Sequence, residues 1–132
     1  MSQRPVEVIL TRQLAEYLST PVFVVDPAGD LLFYNEAAEE VLGARFEETG
    51  PMPAEAWSRA FEPTDRHGKP LSPDRLPLVQ TLQNRLPASG RLNMRGLDGT
   101  RRDLEIASFP LLGQGGRFLG AVAMFWTTGA AE

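Results

Sequence analysis

The sequence predicts an α+β fold, with one antiparallel sheet and several short helices in a single small domain. Its 132 residues suffice for one hydrophobic core but not for two. Two apolar runs flank the turn cluster Asp26-Pro27-Ala28-Gly29, which predicts an antiparallel hairpin. Apolar residues at helical spacing lie on both sides of this hairpin, and three strand-like segments fill the last third of the chain. Helices and strands in separate stretches are typical of the α+β class.

The N-terminal segment predicts an amphipathic helix from about residue 5 to residue 18. Its apolar residues recur at steps of three and four, so they share one helical face. These residues are Val6, Ile9, Leu10, Leu14, Tyr17 and Leu18. Pro21 terminates the helix because proline cannot continue it.

The hairpin leads directly into a short capped helix. Asn35 ends the second strand, and its side-chain oxygen can accept hydrogen bonds from the free amides of the first helical turn. Glu36 complements the positive end of that helix, and Gly43 can take the left-handed conformation that closes it. This segment therefore predicts strand, turn, strand and Asn-capped helix.

The middle of the chain predicts two further helices separated by a loop. Pro53 suits the first turn of a helix that carries Trp57 and Phe61 on one face. Residues 62–73 are rich in proline, glycine and charge, which predicts a loop. Pro77 starts the next helix because it cannot lie deep inside one. The inward side chains of that helix are predicted to be Leu78, Val79, Leu82 and Leu86.

The alternation of side chains along a strand predicts the register of the first two C-terminal strands. The three strands are predicted over residues 91–96, 101–112 and 117–127. The apolar residues of the first two share a face only if their loop has an odd number of residues. A three-residue loop over residues 97–99, with its glycine left-handed and a bulge, places Leu92 opposite Leu104 and Arg91 opposite Glu105.

The last strand is apolar on both faces. One face carries Phe118, Val122, Met124 and Trp126, and the other carries Leu119, Ala121, Ala123 and Phe125. A strand at a sheet edge with one solvated side would alternate apolar and polar residues. The last strand is therefore predicted to be central, with cover on both sides.

Three segments in order resemble the PAS family. The first hairpin and helix follow its opening pattern of a strand, an Asp-x-x-Gly turn, a second strand and Asn-x-Ala-x-x-x-x-Leu-Gly, which Asn35, Ala37, Leu42 and Gly43 fill. Residues 68–82 look like a segment common in bacterial sensory PAS domains, and Asp98-Gly99-Thr100 followed by two long strands looks like their end.

The resemblance covers residues 20–127 and implies a specific architecture. It implies the strand order 2-1-5-4-3 in one antiparallel sheet, with short helices on one face. The other face is then free for the N-terminal helix or for a partner. We divide the chain into that helix (residues 1–19), the PAS-like domain (residues 20–127) and a C-terminal tail (residues 128–132).

The predicted interior supplies the candidate ligand-binding residues. They are Trp57, Phe61, Leu78, Leu82, Met94, Leu104, Ile106, Met124 and Trp126. Such residues more often form core than pocket, although methionine and aromatic linings also suit small-ligand cavities. The resemblance implies that a ligand would lie here, between helices and sheet. The expectation for any ligand is a small apolar molecule.

The chain has few side chains suited to cofactor binding or catalysis. The chain has no cysteine, so it lacks the thiol that covalent chromophores and flavin adducts need. His67 is the sole histidine, so no multi-histidine metal site can form within one chain, and its position in a polar loop argues against a haem ligand. We expect no cofactor and no metal. A haem or non-covalent flavin sensor and a small enzyme on a cup-shaped fold remain as alternatives.

Charge and hydropathy set further expectations about partners and location. The net charge of −4 disfavours a nucleic-acid surface, which needs a basic stripe. No apolar run approaches the roughly 20 residues that a membrane span needs, so we expect a cytoplasmic protein without membrane contact. We also expect a stand-alone domain, because the chain begins with Met and is short.

These observations predict a non-enzymatic sensory or protein-interaction module in bacterial signalling that acts as a homodimer. One helix can cover only part of a five-stranded sheet, so a second copy is expected to complete the cover. The predicted interface residues are Val6, Ile9, Leu10, Leu14, Tyr17, Leu18, Leu119 and Phe125.

Overall fold

A computed structural model describes residues 6–128 of the protein. Its centre is a five-stranded antiparallel sheet of order β2-β1-β5-β4-β3, which confirms the predicted α+β fold and strand order. The strands are β1 (Val22–Val25), β2 (Leu31–Tyr34), β3 (Ala88–Arg95), β4 (Arg101–Leu112) and β5 (Phe118–Thr127). The helices are α1 (Val6–Glu16), α2 (Glu36–Leu42), α3 (Phe46–Thr49), α4 (Ala54–Ala60) and α5 (Pro77–Asn84), with short 3-10 turns at Pro73–Arg75 and Gln114–Gly116. The predicted helix start at residue 5 and residues 129–132 of the predicted tail lie outside the described residues.

The β1–β2 hairpin turns where the sequence predicted. The carboxylate of Asp26 accepts hydrogen bonds from the backbone N–H groups of Ala28 and Asp30, at 2.9 and 3.0 Å. Gly29 takes a positive φ of 92°, a conformation that side chains with a Cβ rarely adopt. The aspartate side chain and the glycine backbone together make the tight turn.

Both predicted ends of helix α2 are present. The Oδ1 atom of Asn35 accepts a hydrogen bond from the N–H of Ala38, and Gly43 closes the helix with a φ of 79°. Gly43 also lies against the β3–β4 loop, where a Cβ atom would come within 2.6 Å of the backbone nitrogen of Asp98. The glycine is therefore required by packing as well as by backbone conformation.

The predicted register of β3 and β4 is confirmed. Leu92 lies opposite Leu104 and Arg91 lies opposite Glu105. The N–H of Gly99 donates to the carbonyl of Gly96 at 3.0 Å, and Gly99 has a φ of 85°. An odd loop with a left-handed glycine therefore keeps the apolar side chains of both strands on one face.

The connection from α5 to β3 differs from the prediction. Helix α5 ends at Asn84 because Arg85 takes a left-handed conformation, so Leu86 lies beyond the helix and is 63% exposed. Its predicted inward position is wrong. Strand β3 begins at Ala88 rather than Arg91, since Ser89 and Gly90 pair with β4 despite their preference for turns.

Helices cover both faces of the sheet. Helices α2, α4 and α5 pack on one face, which we call the inner face, and contribute to the larger core. Helix α1 lies across the opposite, outer face, where its residue Ala15 packs with Val22, Val24 and Phe33. Over residues 6–128, no helix combines the length and the hydropathy that crossing a membrane demands.

Candidate ligand cavity and interaction surfaces

An apolar cavity of about 60 Å³ lies between the inner face of the sheet and helices α4 and α5. It is lined by Phe23, Leu42, Trp57, Ser58, Phe61, Pro63, Leu76, Pro77, Leu78, Leu92, Met94, Ile106, Ala123 and Phe125. Sites for drug-sized ligands usually measure about 300–1,000 Å³. The interior is therefore packed almost as a core, and it accepts only a small apolar molecule unless side chains move.

Seven of the nine predicted cavity residues lie in the inner core, and five of these line the cavity itself. The five are Trp57, Phe61, Leu78, Met94 and Ile106. Leu82 and Leu104 pack in the same core but away from the cavity. Helical and strand periodicity thus identified the residues of α4, α5, β3 and β4 that face inward.

The inward and outward side chains of strand β5 are the reverse of the prediction. Ala123 pairs with the inward residue Phe23, and alternation along the strand turns Phe125 inward as well. Met124 packs against the outer core and Trp126 is 41% exposed, so neither lines the cavity. Phe125, which we predicted at the dimer interface, is instead part of the cavity wall. The alternation of side chains along β5 separates the two sets of residues but does not show which set the helices cover.

The cavity wall is held by aromatic contacts and one buried hydrogen bond. The indole Nε1 of Trp57 donates to the carbonyl of Gly29 at 2.9 Å. Its ring meets Phe23 edge-on, with centroids 5.3 Å apart and planes at 74°. Phe23 also meets Phe61 edge-on, at 6.5 Å. These contacts tie α4 to the β1–β2 hairpin and fix the rings in defined orientations.

The buried polar side chains among residues 6–128 serve structural roles. They are Asn35, Thr81 and Ser108. The hydroxyls of Thr81 and Ser108 lie 2.7 Å apart, and the Ser108 hydroxyl donates its one proton to the carbonyl of Pro77 at 3.0 Å, so Thr81 donates to Ser108. This pair joins α5 to β4, and its partners include no base that could activate a hydroxyl.

Within residues 6–128, the histidine and the acidic residues form no cluster around the cavity. His67 is exposed in the loop between α4 and α5 and is not part of the cavity lining. Within the described residues, no group of three or more His, Cys, Asp or Glu side chains is placed to hold a metal ion. Among the described lining residues, Ser58 alone carries a hydroxyl, and none carries a carboxylate, an amide or a basic group.

The amide of Asn35 fixes the end of helix α1 to the sheet. Its Nδ2 donates to the carbonyls of Ala15 and Thr20, both at 2.9 Å. Its Oδ1 accepts from the N–H groups of Val22 and Ala38, both at 3.0 Å. A primary amide can make four such bonds, and this buried one makes all four. The predicted helix cap thus also connects α1, β1 and α2.

The start of helix α1 is fixed to the β4–β5 loop. The carboxylate of Glu7 accepts a hydrogen bond from the N–H of Gln114 at 3.2 Å and lies 3.9 Å from the guanidinium of Arg117. Hydrogen bonds from its own backbone N–H and from that of Gln114 lower the pKa of Glu7. Helix α1 is therefore anchored at both ends.

The outward side of helix α1 and part of the outer sheet face are apolar and exposed. On α1 and the turn after it these residues, which we call the helix stripe, are Val6, Ile9, Leu10, Leu14, Tyr17 and Leu18, with Tyr17 89% exposed. On the sheet, Phe109 and Trp126 are exposed and Met124 is half-buried, and we call these three the sheet patch. Leu119, predicted at the dimer interface, is buried beside Gly113 and adds nothing to this surface.

Comparisons with known proteins identify the fold. A family model described as the PAS fold matches residues 10–126. The PAS domain of a Colwellia psychrerythraea protein is 17% identical with a TM-score of 0.64, over 91% of this chain and 95% of that one. The PAS domain of nitrogen regulation protein NR(II) from Vibrio parahaemolyticus is 18% identical with a TM-score of 0.63, over 89% and 97%. The Rhodobacter sphaeroides LOV protein is 12% identical with a TM-score of 0.74, over 96% and 70%. A search of curated proteins finds no match.

Proposed function

This chain belongs to the PAS family, and on that premise we propose that it is a non-enzymatic sensory and protein-interaction module of bacterial signal transduction that acts as a homodimer. The observation that supports the homodimer is the pair of exposed apolar surfaces, the helix stripe and the sheet patch. Large exposed apolar surfaces on a small domain usually mark an interaction site.

Geometry explains why one copy leaves the sheet patch uncovered. An α-helix is about 10 Å wide, whereas neighbouring strands lie about 4.8 Å apart, so one helix covers roughly two strands. Residues Val8 and Arg12 of α1 lie beside β1 and β2, at Val24 and Phe33. Strand β4 and the end of β5 lie farther across the sheet, where Phe109 remains exposed.

A second copy of the chain is the occupant that fits this surface. Its helix stripe is apolar, and the two surfaces can cover each other twice in a two-fold dimer. Each helix then lies between two sheets, with Val8 and Ala15 on its own sheet and residues such as Leu10 and Leu14 on its neighbour.

The dimer is tested with two charge substitutions at exposed helical positions. Leu14 lies in the helix stripe of α1, whereas Gln83 is exposed on α5, which packs on the inner face of the sheet. Size exclusion coupled to light scattering should give a dimer for the wild type and for Gln83→Glu, but a monomer for Leu14→Glu. A wild type that stays monomeric at high micromolar concentration refutes the dimer. Point variants are preferable to a chain that starts near Thr20, since truncation also removes the carbonyl of Ala15 from the Asn35 amide.

A second candidate function is the binding of a small apolar ligand in the cavity. The supporting observation is the apolar lining with aromatic and methionine side chains. Xenon under pressure should raise the thermal unfolding midpoint of the wild type by mass action. Ala123→Val adds methyl groups at the cavity wall and should remove this rise. The absence of any rise in the wild type would exclude ligands of this size.

The cofactor alternatives fit this interior poorly. A cavity of about 60 Å³ is several times too small for haem or flavin, and the exposed His67 is not among its lining residues. We expect the purified protein to show no haem or flavin absorbance in the visible region. A Soret band that survives dialysis and disappears in His67→Ala would overturn this expectation. An enzyme is likewise disfavoured, since the described lining carries no ionisable side chain.

A further inference from the structure

A line of aromatic contacts leaves the cavity along the inner face of the sheet. Trp57 and Phe23 line the cavity and touch each other edge-on at 5.3 Å. Phe23 lies 6.2 Å from Tyr34 on the neighbouring edge strand β2, with the two rings parallel. The hydroxyl of Tyr34 donates to the carbonyl of Ala44 at 2.9 Å, and burial raises its pKa. The line therefore runs from the cavity wall to the edge of the sheet.

Phe46 carries this line around the edge strand to the outer face. Neighbouring residues of a strand point to opposite faces, so Tyr34 belongs to the inner core and Phe33 to the outer one. Phe46 meets both rings edge-on, Tyr34 at 5.3 Å and Phe33 at 5.6 Å. It packs against both cores, although the sheet separates them elsewhere.

Arg12 completes the connection to helix α1. Its guanidinium carbon lies 4.7 Å from the centroid of Phe33 and 5.8 Å from that of Phe46, both within cation–π range. Arg12 belongs to the same helix as Leu10 and Leu14 of the helix stripe. A ring that contacts the inner core therefore also contacts the helix that carries the exposed surface.

We propose that Phe46 couples the cavity to the docking of helix α1 by passing around the edge of the sheet. A change at the cavity wall that tilts Trp57 or Phe23 displaces Tyr34 and Phe46, because closely packed rings cannot turn independently. Phe46 then shifts the balance between docked and undocked helix through Arg12. This inference rests on the proposed role of α1 as the interaction surface, and it names the regulation of that surface.

Amide hydrogen exchange of α1 tests the coupling in a monomeric background. Leu14→Glu is present in every variant, so dimer formation plays no part in the result. Trp57→Phe should speed exchange of the α1 amides about five-fold relative to those of β4, which report global stability. Leu78→Val, on α5, alters the cavity wall away from the aromatic line and should leave the α1 rates unchanged relative to β4. In Phe46→Leu, the effect of Trp57→Phe on α1 should disappear.

Two outcomes would overturn the proposal. One is an equal response of α1 to Trp57→Phe in the presence and absence of Phe46, which would assign the coupling to the sheet itself. The other is no response of α1 to Trp57→Phe at all. If Phe46→Leu does not fold, Arg12→Gln breaks the same line at the exposed helix and should also remove the effect. A failed dimer test leaves this readout intact, since all the variants compared are monomers.

Discussion

The buried amide of Asn35 provides the most direct test of how helix α1 is held. Asn35→Ala removes four hydrogen bonds, to the carbonyls of Ala15 and Thr20 and the N–H groups of Val22 and Ala38. At about 1 kcal/mol net for each bond, the free energy of unfolding should fall by about 4 kcal/mol. Small domains have only about 5–15 kcal/mol in total, so the variant should be only marginally stable.

Asn35→Asp separates the acceptor half of the amide from the donor half. The shape and the two accepted hydrogen bonds remain, but a carboxylate oxygen now faces the carbonyl oxygens of Ala15 and Thr20. Burial and this repulsion should raise the pKa of the aspartate above its usual value of about 3.9. Because the folded state then binds the proton more tightly than the unfolded state, the variant should lose stability as pH rises through the raised pKa.

Urea unfolding of wild type and variants at about pH 4.5 and about pH 7.5 measures both effects. Asn35→Asp should lose at least about 2 kcal/mol at the higher pH and recover part of it at the lower pH. Asn84→Asp adds the same charge at an exposed position at the end of α5 and should cost less than about 1 kcal/mol. If Asn35→Asp were as stable as the wild type at both pH values, the assigned hydrogen bonds would be refuted.

Three further substitutions test the core, a loop contact and the start of α1. Trp57→Ala should lower the free energy of unfolding by about 3–5 kcal/mol in denaturant melts, since the ring is buried core; a much smaller loss would mean that the ring lines an open site. Gly43→Ala should lower the free energy of unfolding by at least about 2 kcal/mol, because Gly43 has a positive φ and an added Cβ would clash with Asp98. Gly99→Ala should lower it clearly less, because Gly99 has a positive φ but open space around it. Equal losses would refute the clash. Wild type should be more stable than Glu7→Gln at about pH 7, and this difference should shrink as pH falls through the lowered pKa of Glu7, because a carboxylate with a lowered pKa stabilises the fold only while ionised. A difference that persists at low pH would exclude the charge of Glu7 as its cause.

Local patterns predicted most of the elements because the determining interactions are themselves local. The turn at Asp26 and the cap at Asn35 each depend on hydrogen bonds between residues close in sequence. The register of β3 and β4 followed from parity, since a one-residue slip would turn Leu92 or Leu104 to the other face. The start of β3 could not be read, because Ser89 and Gly90 form a strand only through pairing with β4.

The cavity was predicted less completely, for a topological reason. Its residues on α4, α5, β3 and β4 carry periodic signals, but Phe23, Ala123 and Phe125 lie on central strands that are apolar on both faces. Such strands contain no polar face to mark the outside. Only the pairing of Phe23 with Ala123, far apart in sequence, decides which side chains turn toward Trp57. The second role of Asn35, as anchor of α1, is non-local in the same way.

The position of β5 also constrains how the chain can fold during synthesis. The β1–β2 and β3–β4 hairpins do not pair with each other; β5 lies between them and is the last of the five strands of this sheet to be made. Until it leaves the ribosome, β1 and β4 each expose an unpaired edge, and the inner core lacks its central strand. At about 5–20 residues per second, β1 waits several seconds for its partner. Slow stages of translation through β3 and β4 should therefore increase binding of nascent chains by chaperones, and the fold should form in one late step when β5 inserts.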